Sequence, residues 1–68
     1  MKLSQNEKAL VNESLGRVEA TFNSLLYISG DENIDKNKII EALSMSIIDL
    51  ELTHQSLIRV LNKVRAGR

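Results

Sequence analysis

The chain contains no cysteine, no proline and no tryptophan, and its 68 residues include a single histidine. Disulfide bonds are therefore excluded, and the Cys and His ligands of an ordinary zinc site are missing. A domain this short buries a small fraction of its surface and usually relies on disulfides, a metal or a partner chain. We therefore expect one domain, residues 1–68, that is stabilised by association with another chain.

Aromatic residues make up 3% of the sequence, namely Phe22 and Tyr27. Such a composition does not favour a nucleic-acid surface built on stacked aromatic rings. No apolar run is long enough to cross a membrane, and the first residues lack the apolar segment of a signal peptide. We expect a cytoplasmic protein that does not associate with membranes.

Residues suited to catalysis are also scarce. The glycines are isolated from one another, so no phosphate-binding loop is present, and no Ser/His/Asp arrangement is indicated. Two helices, the fold predicted below, offer no cleft that would exclude water from a reaction. We expect neither enzymatic activity nor a cofactor.

The formal net charge is +0, but the charges are unevenly distributed. Residues 31–52 carry six acids and two bases, whereas residues 53–68 carry four bases and no acid. One explanation is the helix dipole, which favours acidic residues near the start of a helix and basic residues near its end. The other explanation is that the basic end contacts phosphate or an acidic partner. Any DNA binding through this end should be weak and dependent on salt. The four bases are Arg59, Lys63, Arg65 and Arg68.

A first helix is predicted over about residues 5–29. Ser4 and Glu7 have the spacing of a capping box, in which each side chain binds a free backbone N–H group of the first turn. Apolar residues then recur at spacings of 3 and 4, and Gly30 suits the left-handed position that ends many helices. The apolar stripe consists of Val11, Leu15, Val18, Phe22 and Leu25.

A second helix is predicted over about residues 36–65, after a polar turn at residues 30–35 and an N-cap at Asp35. Its stripe has a strict 3-4 spacing. The short turn favours antiparallel packing, so we predict an all-α helical hairpin whose core is formed by the two stripes. The second stripe consists of Ile40, Leu43, Ile47, Leu50, His54, Leu57, Leu61 and Val64.

The acidic turn begins like a calcium-binding EF-hand loop. The loop would need Gly at position 6 and Glu at position 12, where this chain has Lys36 and Ala42. The sequence therefore predicts a polar turn with capping carboxylates and no bound metal.

A second apolar face is present on the second helix. Met45, Ile48 and Leu52 recur at i, i+3 and i+7, nearly opposite the main stripe. One neighbouring helix can cover only one side, so these residues would be exposed unless they form an interface. We expect a homodimer in which this patch packs against its copy and completes a four-helix bundle.

His54 lies within the main stripe, among leucines. A single histidine at such a position is most often a core or interface residue whose ring nitrogens are satisfied. A second interpretation is a polar residue that fixes the register of the assembly and weakens it when protonated. Both interpretations remain open from the sequence.

Short segments in the turn and in both predicted helices resemble those of a known family. The relevant pieces are Leu15-Gly16, Ser29-Gly30-Asp31, Lys36-Asn37 with Ile39, and Ile58-Arg59. Over about residues 14–61 the chain resembles the biofilm-development and acid-resistance regulators, small enterobacterial proteins also described as two-component-system connectors. It departs from them after Arg59, where we would expect the next leucine one position later than Leu61.

The resemblance implies a dimeric helical hairpin without enzymatic activity that acts in a phosphorelay and affects biofilm formation and stress responses. A DNA-linked role is also implied. A small helical adaptor or chaperone-like subunit of a larger secretion or phage complex is an alternative, since it needs only an exposed apolar helix face. Sporulation-type phosphatases are also two-helix proteins, but Ser44 and Asp49 do not have their spacing.

Overall fold

The computed structural model describes residues 2–66 and contains two α-helices. Helix α1 spans Gln5–Gly30 and helix α2 spans Lys36–Arg65, with 26 and 30 residues. The helices pack against each other as a hairpin, and the described residues include no strand. The predicted fold class and both helix positions are confirmed. Arg68, one of the four bases at the end of the predicted second helix, lies outside the described residues.

Capping residues explain where each helix begins. Ser4 Oγ accepts from the backbone N–H of Glu7 at 3.2 Å, and the backbone N–H of Ser4 donates to Glu7 Oε1 at 2.8 Å. This is the predicted capping box, and Glu7 is only 1% exposed. Asp35 caps α2 by accepting from the backbone N–H of Asn37 at 3.4 Å.

The end of α1 differs from the prediction. Gly30 is the last helical residue and does not adopt a left-handed conformation. The chain leaves the helix at Asp31, whose φ of −114° and ψ of 109° are extended. The Asp31 side chain then accepts from the backbone N–H of Asn33 at 2.9 Å, which turns the chain without needing a positive φ.

The hairpin is a thin rod. Its principal extents are 51 × 15 × 13 Å, and its radius of gyration is 15.4 Å. A compact globule of this length would have a radius of about 11 Å. A rod two helices wide has no interior, and Val60 is the one large apolar residue that is buried among those described, at 9% exposure.

The contact line between the helices, here called the seam, is formed mostly by small and polar residues. Its members are buried or half-buried and recur at spacings of 3 and 4. In α1 the seam consists of Glu7, Leu10, Ser14, Arg17, Thr21, Ser24 and Ile28. In α2 it consists of Ile39, Ala42, Ser46, Asp49, Thr53, Ser56 and Val60.

The predicted hairpin core is therefore wrong for the single chain. Each predicted stripe lies one residue after the seam, so that Ser14 is buried where Leu15 was expected, and Ser46 where Ile47 was expected. Small side chains allow the two backbones to approach, whereas the larger residues extend beside the contact line. Val11 and Val64 are half-buried, and the other predicted core residues are exposed: Leu15, Val18, Phe22, Leu25, Ile40, Leu43, Ile47, Leu50, Leu57 and Leu61.

Candidate interaction site

Arg17 links the two helices across the seam. Its Nε donates to the Thr53 hydroxyl at 3.2 Å, and its Nη2 donates to the Ser56 hydroxyl at 2.9 Å. Each bond joins residues more than 30 positions apart, so the pair fixes how far α2 is shifted along α1. Nothing in the apolar pattern indicated this contact. A repeat of Ser, Thr and Ala at the same 3-4 spacing was the signal in the sequence that could have found it.

The two apolar stripes lie together on one side of the hairpin. The helices run in opposite directions and both are right-handed, so the residue after each seam position points to the same side in both. Leu15 and Phe22 of α1 are 62% and 60% exposed, and Ile47 of α2 is 57% exposed. The residues predicted as two facing stripes therefore form one continuous surface, here called the apolar face.

The apolar face is almost free of charge. The ionisable residues at its positions, one after the seam, are Lys8 and His54. His54 is exposed and lines a shallow depression of about 310 Å³ with Ile47 and Leu50, and Glu51 and Gln55 form the outer edge of this depression. The structure thus places His54 among apolar side chains, as the sequence predicted, on a surface that is open to a partner.

The opposite side of the hairpin carries the second apolar patch. Met45, Ile48 and Leu52 lie one residue before the seam and are about half exposed, as expected for residues that α1 does not cover. Met45 also lines a cavity of about 200 Å³ together with Tyr27 of α1. Tyr27 lies on α1, outside the i, i+3, i+7 pattern of α2, so the spacing that predicted this patch did not include it. Whether the patch self-associates stays a prediction.

The basic end of α2 does not form one patch. Lys63 and Arg65 lie in the last turn of the helix, where positive charge opposes the negative end of the helix dipole. Arg59 is also exposed, but it lies on the side of the second apolar patch. Arg59 and Lys63, four residues apart, share one side of the helix, whereas Arg65 points to the other side. The three side chains do not converge, which favours the dipole explanation over a phosphate site. Arg68 lies outside the described residues.

Carboxylates of the turn act on the backbone. Asp31 accepts from Asn33 N and Asp35 accepts from Asn37 N, so both side chains serve local turns and caps. Within residues 2–66, no group of three or more His, Cys, Asp or Glu side chains is placed to hold a metal ion. In the same range neither helix is long and apolar enough to cross a membrane.

Comparison with known proteins gives no match: no family model, no curated protein and no solved structure is significantly similar to this chain.

Proposed function

We propose that this chain is a small non-enzymatic regulatory protein that acts as a homodimer through protein–protein contacts. The observation that carries this proposal is the exposure of the apolar face, which leaves the hairpin without a core of its own. Fully burying a Leu, Ile or Phe side chain stabilises a protein by about 1.5–3 kcal/mol. A partner that covers this face supplies the hydrophobic stabilisation that two helices alone do not.

The size of the apolar face suits a stable dimer. Residues 40–64 of α2 span about 36 Å at 1.5 Å per residue, and the hairpin is 15 Å wide in its second dimension. The face thus covers roughly 540 Å² in projection, and rather more as accessible surface, against about 800 Å² per partner in a standard interface. It lies in the upper part of the range of about 300–600 Å² for the largest apolar patch of a typical monomer, a patch that is often functional.

A second copy of the chain is the occupant that best fits this face. A surface with few charges offers little by which a charged partner could be selected, whereas it is complementary to another surface of the same kind. Two hairpins related by a two-fold axis would bury both apolar faces in a four-helix bundle. The dimer contact is thus assigned to the larger apolar face, whereas the sequence pattern predicted it at Met45, Ile48 and Leu52.

Two neighbouring isoleucines test the dimer. Ile47 lies on the apolar face and Ile48 on the opposite side, with exposures of 57% and 50%. We expect Ile47→Glu to lower the molar mass measured by light scattering from dimer to monomer, because it places a charge in the interface. Ile48→Glu is the matched control and should leave the dimer intact. The reverse result would return the dimer contact to the smaller patch, and a monomeric wild-type chain would refute the homodimer.

By resemblance, we propose that the dimer is a cytoplasmic connector in two-component signalling that affects biofilm formation and the response to acid and other stresses. The support is the similarity of the turn and of short helical segments to those of the biofilm-development and acid-resistance regulators. A strain lacking the protein should show altered biofilm mass, altered survival in acid and altered phosphorylation of a response regulator. Wild-type chain should restore all three, and Ile47→Glu should not. Unchanged phosphorylation of every response regulator would refute the connector role.

A helical adaptor or chaperone-like subunit of a larger complex is the second candidate, because a different protein that covers the apolar face would also bury it. In that case the isolated chain would aggregate or unfold, and one co-expressed partner would restore a defined hetero-complex. A DNA-associated role would depend on Arg59, Lys63 and Arg65, and should show weak binding that salt abolishes. Tight sequence-specific DNA binding at physiological salt would contradict our proposal.

A further inference from the structure

The two apolar stripes of the hairpin are centred at the same level along its length. The stripe of α1 is centred on Val18, its third member, and the stripe of α2 on position 52, midway between residues 40 and 64. Arg17 bonds to Thr53, and because the helices are antiparallel, the next residue of α1 lies level with the preceding residue of α2. Val18 therefore lies at the level of position 52, and one line across the hairpin bisects both stripes.

The longer stripe has the same spacing in both directions, so reversing α2 about position 52 places each of its members beside another member. The pairs are Ile40 with Val64, Leu43 with Leu61, Ile47 with Leu57, and Leu50 with His54. In α1, reversal about Val18 places Val11 on Leu25, and Leu15 within one residue of Phe22. A two-fold axis that crosses the hairpin at this level would therefore bring each stripe against its own copy.

Two hairpins that stack by their apolar faces can form a four-helix bundle in two ways. In the antiparallel dimer, the turn of each hairpin lies beside the open end of the other, and each helix packs against its own copy. In the parallel dimer, both turns lie at one end, and α1 packs against α2 of the second chain. The open end is defined here as residues 2–8 with residues 59–66.

The lengths of the stripes favour the antiparallel dimer. The stripe of α2 is about 36 Å long and that of α1 about 21 Å, at 1.5 Å per residue. In the parallel dimer the longer stripe would face the shorter one, which would leave Ile40 opposite Ser29 and Leu61 opposite Lys8 of the second chain. In the antiparallel dimer, stripes of equal length meet, and every large residue of both stripes is covered by an apolar neighbour or by His54.

The charges of the two ends favour the same arrangement. The turn end, residues 30–41, carries four acids and two bases, whereas the open end carries five bases and one acid. The antiparallel dimer places these unlike ends side by side, and the parallel dimer places like ends together. Exposed charges contribute modestly to stability. Their distribution nevertheless agrees with the lengths of the stripes, from which it is independent.

We propose that the second copy of the chain binds the apolar face in the antiparallel arrangement, about a two-fold axis that crosses the hairpin at Val18 and position 52. This inference rests on the homodimer proposed above and specifies its geometry. Val18 then lies against its own copy at the axis, and His54 lies against the partner subunit's Leu50. The two ends of the dimer are equivalent, because each combines the turn of one chain with the open end of the other.

Disulfide formation tests this geometry, because the chain has no cysteine of its own. Val18 is 47% exposed in the single hairpin, so Val18→Cys should preserve the fold. In the antiparallel dimer the two introduced thiols face each other, and mild oxidation should convert most of the protein to a covalent dimer. Leu25→Cys is the matched control on the same stripe, since its two thiols would be about 21 Å apart along the bundle. Equal cross-linking of the two variants would overturn the proposal.

A mixture of two variants identifies the parallel dimer. In that arrangement Val18 lies against α2 of the second chain, close to the level of Leu50, and is diagonal to its own copy. A mixed disulfide between Val18→Cys and Leu50→Cys, together with no covalent dimer of Val18→Cys alone, would overturn the antiparallel arrangement and leave the homodimer standing.

Spin labels at the turn provide an independent measurement. Asn33→Cys lies at an exposed position of the turn, 19 residues from position 52. At 1.5 Å per residue this is about 28 Å from the axis, so two labels in the antiparallel dimer should be about 55 Å apart. Double electron–electron resonance would measure this distance. In the parallel dimer the labels would be about 25 Å apart, the width of a bundle with its labels, and that result would refute the antiparallel arrangement alone. A chain that is monomeric by light scattering and gives no distance between labels would refute the homodimer as well.

Discussion

Arg17 of α1 donates to Thr53 of α2 at 3.2 Å, and the same guanidinium reaches Ser56 one turn further along at 2.9 Å. A planar donor that engages two hydroxyls on successive turns holds the helices in one register more firmly than apolar contact does. The seam has few large apolar side chains to perform that task.

Removing this contact should weaken the hairpin. We expect Arg17→Met to lower the free energy of unfolding by about 1–2 kcal/mol, because it keeps the apolar stem but leaves two hydroxyls without a donor. Urea unfolding at a fixed protein concentration would measure the change. Arg59→Met, at an exposed position on α2, should cost less than about 0.5 kcal/mol. Equal losses in the two variants would mean that the contact does not stabilise the fold.

The hydroxyl of Ser46 is buried without a hydrogen-bond partner. Ser46→Ala removes a desolvated polar group and also favours the helix, so we expect a gain of about 1 kcal/mol in the free energy of unfolding. Ser44→Ala, two positions earlier and exposed, would gain only the helix propensity of alanine, about 0.5 kcal/mol. Thermal denaturation of both variants provides the comparison. A loss of stability in Ser46→Ala alone would show that the hydroxyl has a partner in solution.

The capping box at the start of α1 offers a further test. Ser4→Ala removes the side chain that accepts from the backbone of Glu7, and we expect a loss of about 1 kcal/mol. Gln5→Ala, at the next residue, should change the stability by less than about 0.5 kcal/mol. Hydrogen exchange of the first-turn amides would localise the effect. Unchanged exchange there would indicate that Glu7 alone holds the first turn.

His54 is the polar residue within the apolar stripe of α2, and its replacement tests the apolar face. We expect His54→Leu to tighten the dimer, lowering the dissociation constant by about tenfold, since an imidazole is replaced by an apolar side chain in the interface. Asn23→Leu places the same side chain on α1 one residue before the seam, on the side opposite the apolar face, and should leave dissociation unchanged. Sedimentation equilibrium would measure both. Weaker association of His54→Leu would assign the imidazole a specific polar contact across the dimer.

The helix limits were predictable because local chemistry sets them. Ser4 with Glu7, and Asp35 before α2, satisfy backbone groups within a few residues of themselves, so the sequence alone specifies them. The end of α1 was less predictable. Gly30 permits a left-handed ending without requiring one, and the Asp31 side chain provides another way to turn the chain.

The periodicity of the sequence could not show which stripe of residues forms the seam. Ser14 and Leu15 belong to two stripes of identical spacing, one residue apart, and both satisfy the period of a helix that packs on a neighbour. Hydrophobicity favoured the stripe of Leu15, yet in the single chain the smaller residue lies between the helices. The larger residues are where a second layer of helices would need them. A pattern of this kind reports the contacts of an assembly as well as those of one chain.

The thinness of the hairpin has a consequence for how the chain behaves in a cell. A rod 15 × 13 Å in cross-section encloses almost no dry volume, so much of the free energy that keeps it folded has to come from whatever covers the apolar face. Stability of this kind follows mass action, rising with the concentration of the covering molecule. We therefore expect the chain to unfold and become a substrate for proteases when that molecule is scarce. On this expectation, gene dosage and the rate of synthesis set how much of the protein persists.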